Sequence, residues 1–325
     1  DFNDTRERPA ACTRCGGRRM MRGTFDRSGA FALLGLGVAA ASGLAAIGSA
    51  DASSSTSSSL VTVPSGPPNA SLQPVGKGVY VRAVGSKHIG GSPEVAIARL
   101  RWLGCQWAAL ALVWQKSDGT TKRYFVGATL AKYAEALHNA GIQVWLWGWP
   151  DKNRVAAFAD ECRAALEVPA VRGIIVNAEQ PMYRAHTETQ WLATELRRQC
   201  DARMKALGLV SYGGGPAFHP AFPWEPWAQT CDFGQPEIYD MNNSLGLSYP
   251  AQAVEGWLRA GFRHIVPLWG ASNKHTPAQM TSIINRTPIV DAAAGWWDLY
   301  WLMKSKARAA VVQGTTLPEQ SFALV

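Results

Sequence analysis

Cysteine is scarce in this 325-residue chain, with six residues spread along its length. That is too few, and too dispersed, for a small disulfide scaffold. Cys12 and Cys15 form a lone C-x-x-C with no second cysteine or histidine pair nearby, so no complete zinc ligand set is present there. Cys105, Cys162, Cys200 and Cys231 read as buried thiols. Cys162 and Cys200 fall on consecutive expected helices, where export would leave a disulfide open to them. A Gly-rich phosphate loop is missing after the first apolar segment, which argues against a dinucleotide fold. His219 and His275 have no partners at metal-ligand spacing, so neither a metal nor another cofactor is expected. Charge is missing altogether from Ser28 to Ala50.

That uncharged run is rich in Ala, Gly and Leu. Arg22 and Arg27 precede it, and small residues alternate through Ser49-Ala50-Asp51-Ala52. A basic start, a weakly apolar middle and a small-residue cleavage site are the layout of an export signal. Residues 1–52 are therefore expected to be a basic N-terminus with an export signal. Membrane contact is expected only through that signal, and the protein is expected to be secreted or associated with a cell surface. Residues 53–75, mostly Ser, Thr, Pro and Gly, read as a linker too polar to fold alone. The formal charge of +8 favours polyanionic surroundings. Seven arginines lie within residues 1–27, so the excess is read as partly local, and nucleic acid is not expected as a partner.

From residue 76 to 325 the chain alternates apolar strands with amphipathic helical stretches. Strands are expected at 78–84, 107–115, 142–149, 173–179, 209–214, 236–240, 264–270 and 293–301. Helices are expected at 93–104, 128–141, 153–166, 187–208, 250–261 and 276–286. Apolar strands bounded by turns and separated by helices imply a parallel sheet. Eight such units in this length fit an α/β closed (β/α)8 TIM barrel.

Barrels of this kind carry their chemistry at the C-terminal ends of the strands. The fourth strand, GIIVNAE, ends on Asn177 and Glu179, two apart and so on the same face as Ile175. The other strand ends give further rim candidates: Tyr80 and Arg82 on the first strand, Trp114 at the end of the second, and Trp145, Trp147 and Trp149, at period two, on the third. Tyr212 ends the fifth, Glu237 and Tyr239 share a face of the sixth, Trp269 ends the seventh, and Trp296, Trp297 and Asp298 close the eighth. Fourteen tryptophans and few acids describe an aromatic-lined mouth, which suits stacking on the apolar faces of sugar rings. About half of these tryptophans are expected in the core.

Glycoside cleavage needs an acid for the leaving oxygen and a second group to meet the developing positive charge. Glu179 fits the acid. Glu237 is the leading second carboxylate, ahead of Asp240 and Asp298. The seventh strand, PLWGAS, has none, so the common pairing of an acid on strand four with a nucleophile on strand seven is absent. If the substrate carries a 2-acetamido group, its own carbonyl can be the nucleophile, and Asn177 can orient it.

GIIVNAEQPMY resembles the strand-four motif of barrel glycosidases that act on N-acetylhexosamine polymers. Chitinase-like and lysozyme-like barrels end this strand in Asp-x-Glu, and some endo-β-N-acetylglucosaminidases in Asn-x-Glu. The segment 211–240, SYGGGPAFHPAFPWEPWAQTCDFGQPEIYD, resembles the strand-five to strand-six region of glycoside-hydrolase-like barrels of secreted bacterial proteins and phage lysins. There a Tyr ends strand five, a His-Pro-x-Phe-Pro-Trp loop follows, and strand six ends in Pro-Gln-x-Tyr; here Glu237 replaces the Gln. The resemblance implies a secreted, in one setting phage-associated, hydrolase of a polysaccharide or peptidoglycan-type glycan. Its site would comprise Glu179, Asn177 and Glu237, with Tyr80, Arg82, Trp114, Trp147, Trp149, Tyr212, Tyr239, Trp269 and Trp297 binding substrate. It equally allows a catalytically inactive barrel that binds cell-wall glycan.

Overall fold

The computed structural model describes residues 72–85, 88–239 and 244–318. The export signal, the C-x-x-C, nearly all of the linker and Asp240 lie outside the described residues. Eight parallel strands close on themselves. They are β1 (Gly76–Val81), β2 (Trp107–Gln115), β4 (Gln143–Trp149), β5 (Val171–Asn177), β6 (Ala206–Tyr212), β7 (Phe233–Ile238), β8 (Leu268–Gly270) and β9 (Ala293–Trp297). Closure runs through β1, which pairs with β2 from Gly78↔Trp107 and with β9 from Gly76↔Ala293. A short antiparallel β3 (Thr121–Arg123) hangs on β2.

Ten helices are described: α1 (Pro93–Leu103), α2 (Gly127–Asn139), α3 (Val155–Leu166), α4 (His186–Asp201), α5 (Gly215–Phe218), α6 (Trp224–Thr230), α7 (Tyr249–Arg259), α8 (Pro277–Arg286), α9 (Leu299–Met303) and α10 (Lys306–Gly314). Local chemistry sets their ends. Ser92 caps α1 by accepting from Val95 N, Pro93 opens it, and Gly104 closes it at φ 71°. Thr276 and Gln279 form a reciprocal capping box on α8.

Strand alternation divides the core in two. One face packs Val79, Leu110, Leu146, Ile174, Leu209, Ile238, Trp269 and Trp296 against the helices. The other fills the bore with Tyr80, Trp107, Trp145, Trp147, Ile175, Val210 and Phe233. The floor is aromatic, with Trp145 and Phe233 edge to face at 5.3 Å. Glycines make room for these rings. A Cβ on Gly78 would lie 1.8 Å from Trp107 Cδ2, and one on Gly208 would lie 2.4 Å from Phe233 Cζ.

Cys105, Cys162, Cys200 and Cys231 are free thiols. Burial keeps Cys105 and Cys200 protonated, pushed up to about 12. The charge reading needs correction. Residues 72–325 hold 25 of the 32 Lys and Arg and 19 of the 24 Asp and Glu, so most of the basic excess belongs to the barrel and not to the N-terminus.

Candidate active site

The end of β5 is held rigidly. Ala178 N donates to Val210 O at 3.1 Å, and the Ser211 hydroxyl donates to Ala178 O. One residue later Glu179 precedes a single 3-10 turn, Gln180–Met182, in which Pro181 sits where no N–H is needed. Strand and turn thus fix the backbone on both sides of the Glu179 carboxyl.

Glu237 projects from the same face of β7 as Phe233, two positions past Gln235. Glu179 and Glu237 share a side-chain hydrogen bond, which two carboxyls can form only when one carries a proton. Burial raises both. Glu179 rises to about 7, held back by the hydrogen bond from Glu237 and by Asn177. Glu237 is raised further, first by burial, then by the Glu179 charge and the shared hydrogen bond. Glu237 is therefore the protonated donor and Glu179 the acceptor. The Asn177 amide lies against both carboxyls and favours their charged forms, as an N–H donor does. The Tyr239 hydroxyl beside Glu237 acts in the same sense.

Three buried polar atoms here, on Asn177, Gln235 and Tyr239, have no protein partner. Asn177 is 2% exposed and its Oδ1 is unbonded. Gln235 is fully buried; its Oε1 accepts from the Tyr80 hydroxyl, and its Nε2 is unbonded. The free acceptor lies on the residue set against the carboxyl pair, and the free donor two positions before Glu237 on the same face of β7.

The accessible aromatics form a wall. Trp114 and Trp149 stack at 5.3 Å, and Trp297 lies edge-on to Trp147 at 5.0 Å. Arg82 sits 5.3 Å over the Trp297 ring and donates from Nε to Asp298 Oδ2 at 2.7 Å. Tyr212 stacks on His219 at 4.0 Å across the mouth. Trp114, Trp149, Tyr212, Tyr239, Trp297 and Arg82 are all half-buried. Trp114 faces inward only because of a register shift between Ala111 and Val113, which re-aims the end of β2.

Three expected contacts are displaced. Tyr80 and Trp147 are buried beneath the mouth, so they support the wall and offer no surface to a ligand. Trp269 lies on the outer face, packed on Trp296 at 5.1 Å and donating to Thr287 Oγ1 at 3.0 Å. Leu268 points into the bore, so its neighbour must point out. At Gly270 a Cβ would lie 2.1 Å from the His275 ring, so that histidine fills the place of a missing side chain. Asp298 is engaged elsewhere: it pairs with Arg82 and caps α9, accepting from Trp301 N at 3.3 Å.

The sequence reading missed Gln235, although period two places it on the Glu237 face. It also missed Tyr124, which follows β3 and packs partly against the bore residues. No strand pattern announces that position.

The raised Glu179 carboxyl has a stability consequence. Its folded value, about 7, exceeds its ordinary 4.5. Its stabilising contribution is therefore complete below about pH 4.5 and is lost as pH rises through about 7. Thermal melts of the wild type and Glu179→Gln should coincide at pH 4 and separate at pH 8, with the variant melting higher. Coincident curves at pH 8 would refute the raised carboxyl.

No family model matches this chain, and no curated protein matches it. Among solved structures it is similar to a chitinase from Chromobacterium violaceum ATCC 12472, at 11% identity and a TM-score of 0.52, covering 74% of this chain and 98% of that one. It is also similar to a class V chitinase from Pseudomonas fluorescens Pf-5, at 8% identity and a TM-score of 0.54, covering 74% and 99%. At these identities the likeness is one of fold alone, a closed (β/α)8 barrel.

Proposed function

We propose that this protein is an exported glycoside hydrolase that cuts amino-sugar glycans of the cell-wall type. The observation that carries the reading is the carboxyl pair with Asn177 lying against both, set in a mouth walled by half-exposed aromatics. Glu179 is the general acid. It gives its proton to the leaving glycosidic oxygen as the bond to the anomeric carbon breaks. The carbonyl oxygen of the substrate's own acetamido group bonds to that carbon from the opposite face. Water then attacks the same carbon, displaces the acetamido oxygen and yields a proton to the Glu179 carboxylate, so configuration is retained. Asn177 Oδ1, a free buried acceptor, takes the acetamido N–H and holds the carbonyl in line. Trp114, Trp149, Tyr212, Tyr239, Trp297 and Arg82 bind the sugar rings. Protonated Glu237 stabilises the Glu179 carboxylate by its hydrogen bond and does not itself attack.

A second reading, a barrel that binds glycan without cutting it, draws on the same wall and on the lack of a second free carboxylate. The full chain incubated with chitin oligomers and with peptidoglycan should release new reducing ends. Retention on the glycan with no release would replace the hydrolase by the binder.

A further inference from the structure

Outside the mouth, a cleft of about 950 Å³ runs between α4 and the α5–α6 segment. That lies near the top of the range, about 300–1,000 Å³, that encloses drug-sized ligands. One face of α4 supplies Thr187, Gln190, Trp191 and Thr194; Phe222 and Trp224 stand opposite. Trp191 is 46% exposed, whereas seven other tryptophans of the barrel are almost wholly buried. Trp102 is equally exposed, but the Trp191 indole stands in a concave, proline-walled cleft, where a ligand can stack on it.

We propose that this cleft is a second glycan-binding groove that takes further sugar units of the strand held in the mouth; the proposal rests on the glycan reading of that mouth. Continuity supports it. Phe222, buried beneath the groove at 2% exposure, packs edge-on against Tyr212 at 5.9 Å, so one buried ring backs both the groove and the half-buried Tyr212 at the mouth. The chemistry selects the occupant. Aromatic surface interleaved with hydroxyl and amide side chains suits a pyranose ring, with an apolar face and a polar edge. The Glu195 and Arg198 charges in the groove pair with each other at 2.6 Å, and the Glu225 carboxylate beside them adds a negative charge, which disfavours a phosphate backbone. A neutral sugar face fits this surface.

Sedimentation with insoluble peptidoglycan tests the groove, using the full chain carrying Glu179→Gln so that nothing is cut. Adding Trp191→Ala should weaken retention about fivefold to tenfold, the scale of one lost ring stack. Thr194→Arg, which crowds an exposed position of the groove, should do the same. In the chain with Glu179 intact, neither change should alter turnover of a soluble short oligomer by more than about twofold. Unchanged retention in both variants would overturn the groove, as would oligomer turnover falling in parallel with retention. If the wild type cuts no oligomer, the hydrolase reading fails, and the sedimentation comparison still decides the groove.

Discussion

Glu179→Gln should lower glycan cleavage by roughly 10²- to 10⁴-fold, the usual contribution of a positioned general acid, while Glu237→Gln should stay within about tenfold of the wild type. The contrast follows from the proton they share. Burial and the neighbouring Glu179 charge keep Glu237 protonated, so it presents an O–H to Glu179 and carries no charge of its own. Glutamine presents an N–H in the same place, and glutamine is what the resembling barrels carry there. Glu179 has no such substitute, because an amide cannot give up a proton to a leaving oxygen. Reducing-end assays on one oligomer, across pH 5 to 9, separate the outcomes. In the wild type, turnover should fall as pH rises through about 7, where Glu179 loses its proton. If Glu237→Gln fell as far as Glu179→Gln, Glu237 would be the nucleophile or base, and the substrate's acetamido group would lose that role.

The second large effect is on folding. Gly78→Val should destabilise the barrel by about 3 kcal/mol or more, because its Cβ would start 1.8 Å from Trp107. The indole cannot easily yield: it is fully buried, and its Nε1 donates to Gly76 O at 3.0 Å. For a domain of this size that corresponds to a fall in Tm of roughly 6–12 °C. Gly314→Ala is the control, with nothing within 4 Å of its added carbon and an expected change of no more than about 1 kcal/mol. Equal melting temperatures for Gly78→Val and the wild type would mean that the floor of the bore is looser than its packing implies.

Much of this arrangement was legible in the sequence. Period-two strands and amphipathic helices gave the barrel, and the spacing of Asn177 and Glu179 placed both at one strand end. The errors have local causes. The helix expected to run to residue 208 ends at Asp201, and β6 begins at Ala206. The turn between them is made by Met204 at φ 52°, a conformation that no glycine advertises there. The sixth barrel strand begins at Phe233, three residues before its expected start, because Gly234 and Pro236 disguise it as a loop. Pro267 interrupts the seventh, leaving Leu268–Gly270 and an isolated bridge from Ile265 to Gly234. Strict alternation from Trp107 would have turned Trp114 away from the mouth, and only the bulge in β2 brings it in. The last expected strand, drawn to residue 301, stops at Trp297, because Asp298 caps α9 from Leu299 within that stretch; α10, capped by Ser305, follows.

The unbonded Asn177 Oδ1 and Gln235 Nε2 set what this mouth will refuse. A sugar with a plain hydroxyl at its second carbon, as in cellulose, has no amide to meet them. Both atoms are already buried without a partner, so binding such a sugar would leave that standing cost in place, whereas an acetamide that reached them would relieve it. Sites built around a substrate's polar group reject analogues that lack it by as much as about 10⁴- to 10⁵-fold. On the function proposed above, fidelity for amino sugars would thus come from relieving a cost that the empty mouth already carries, which no plain sugar can do.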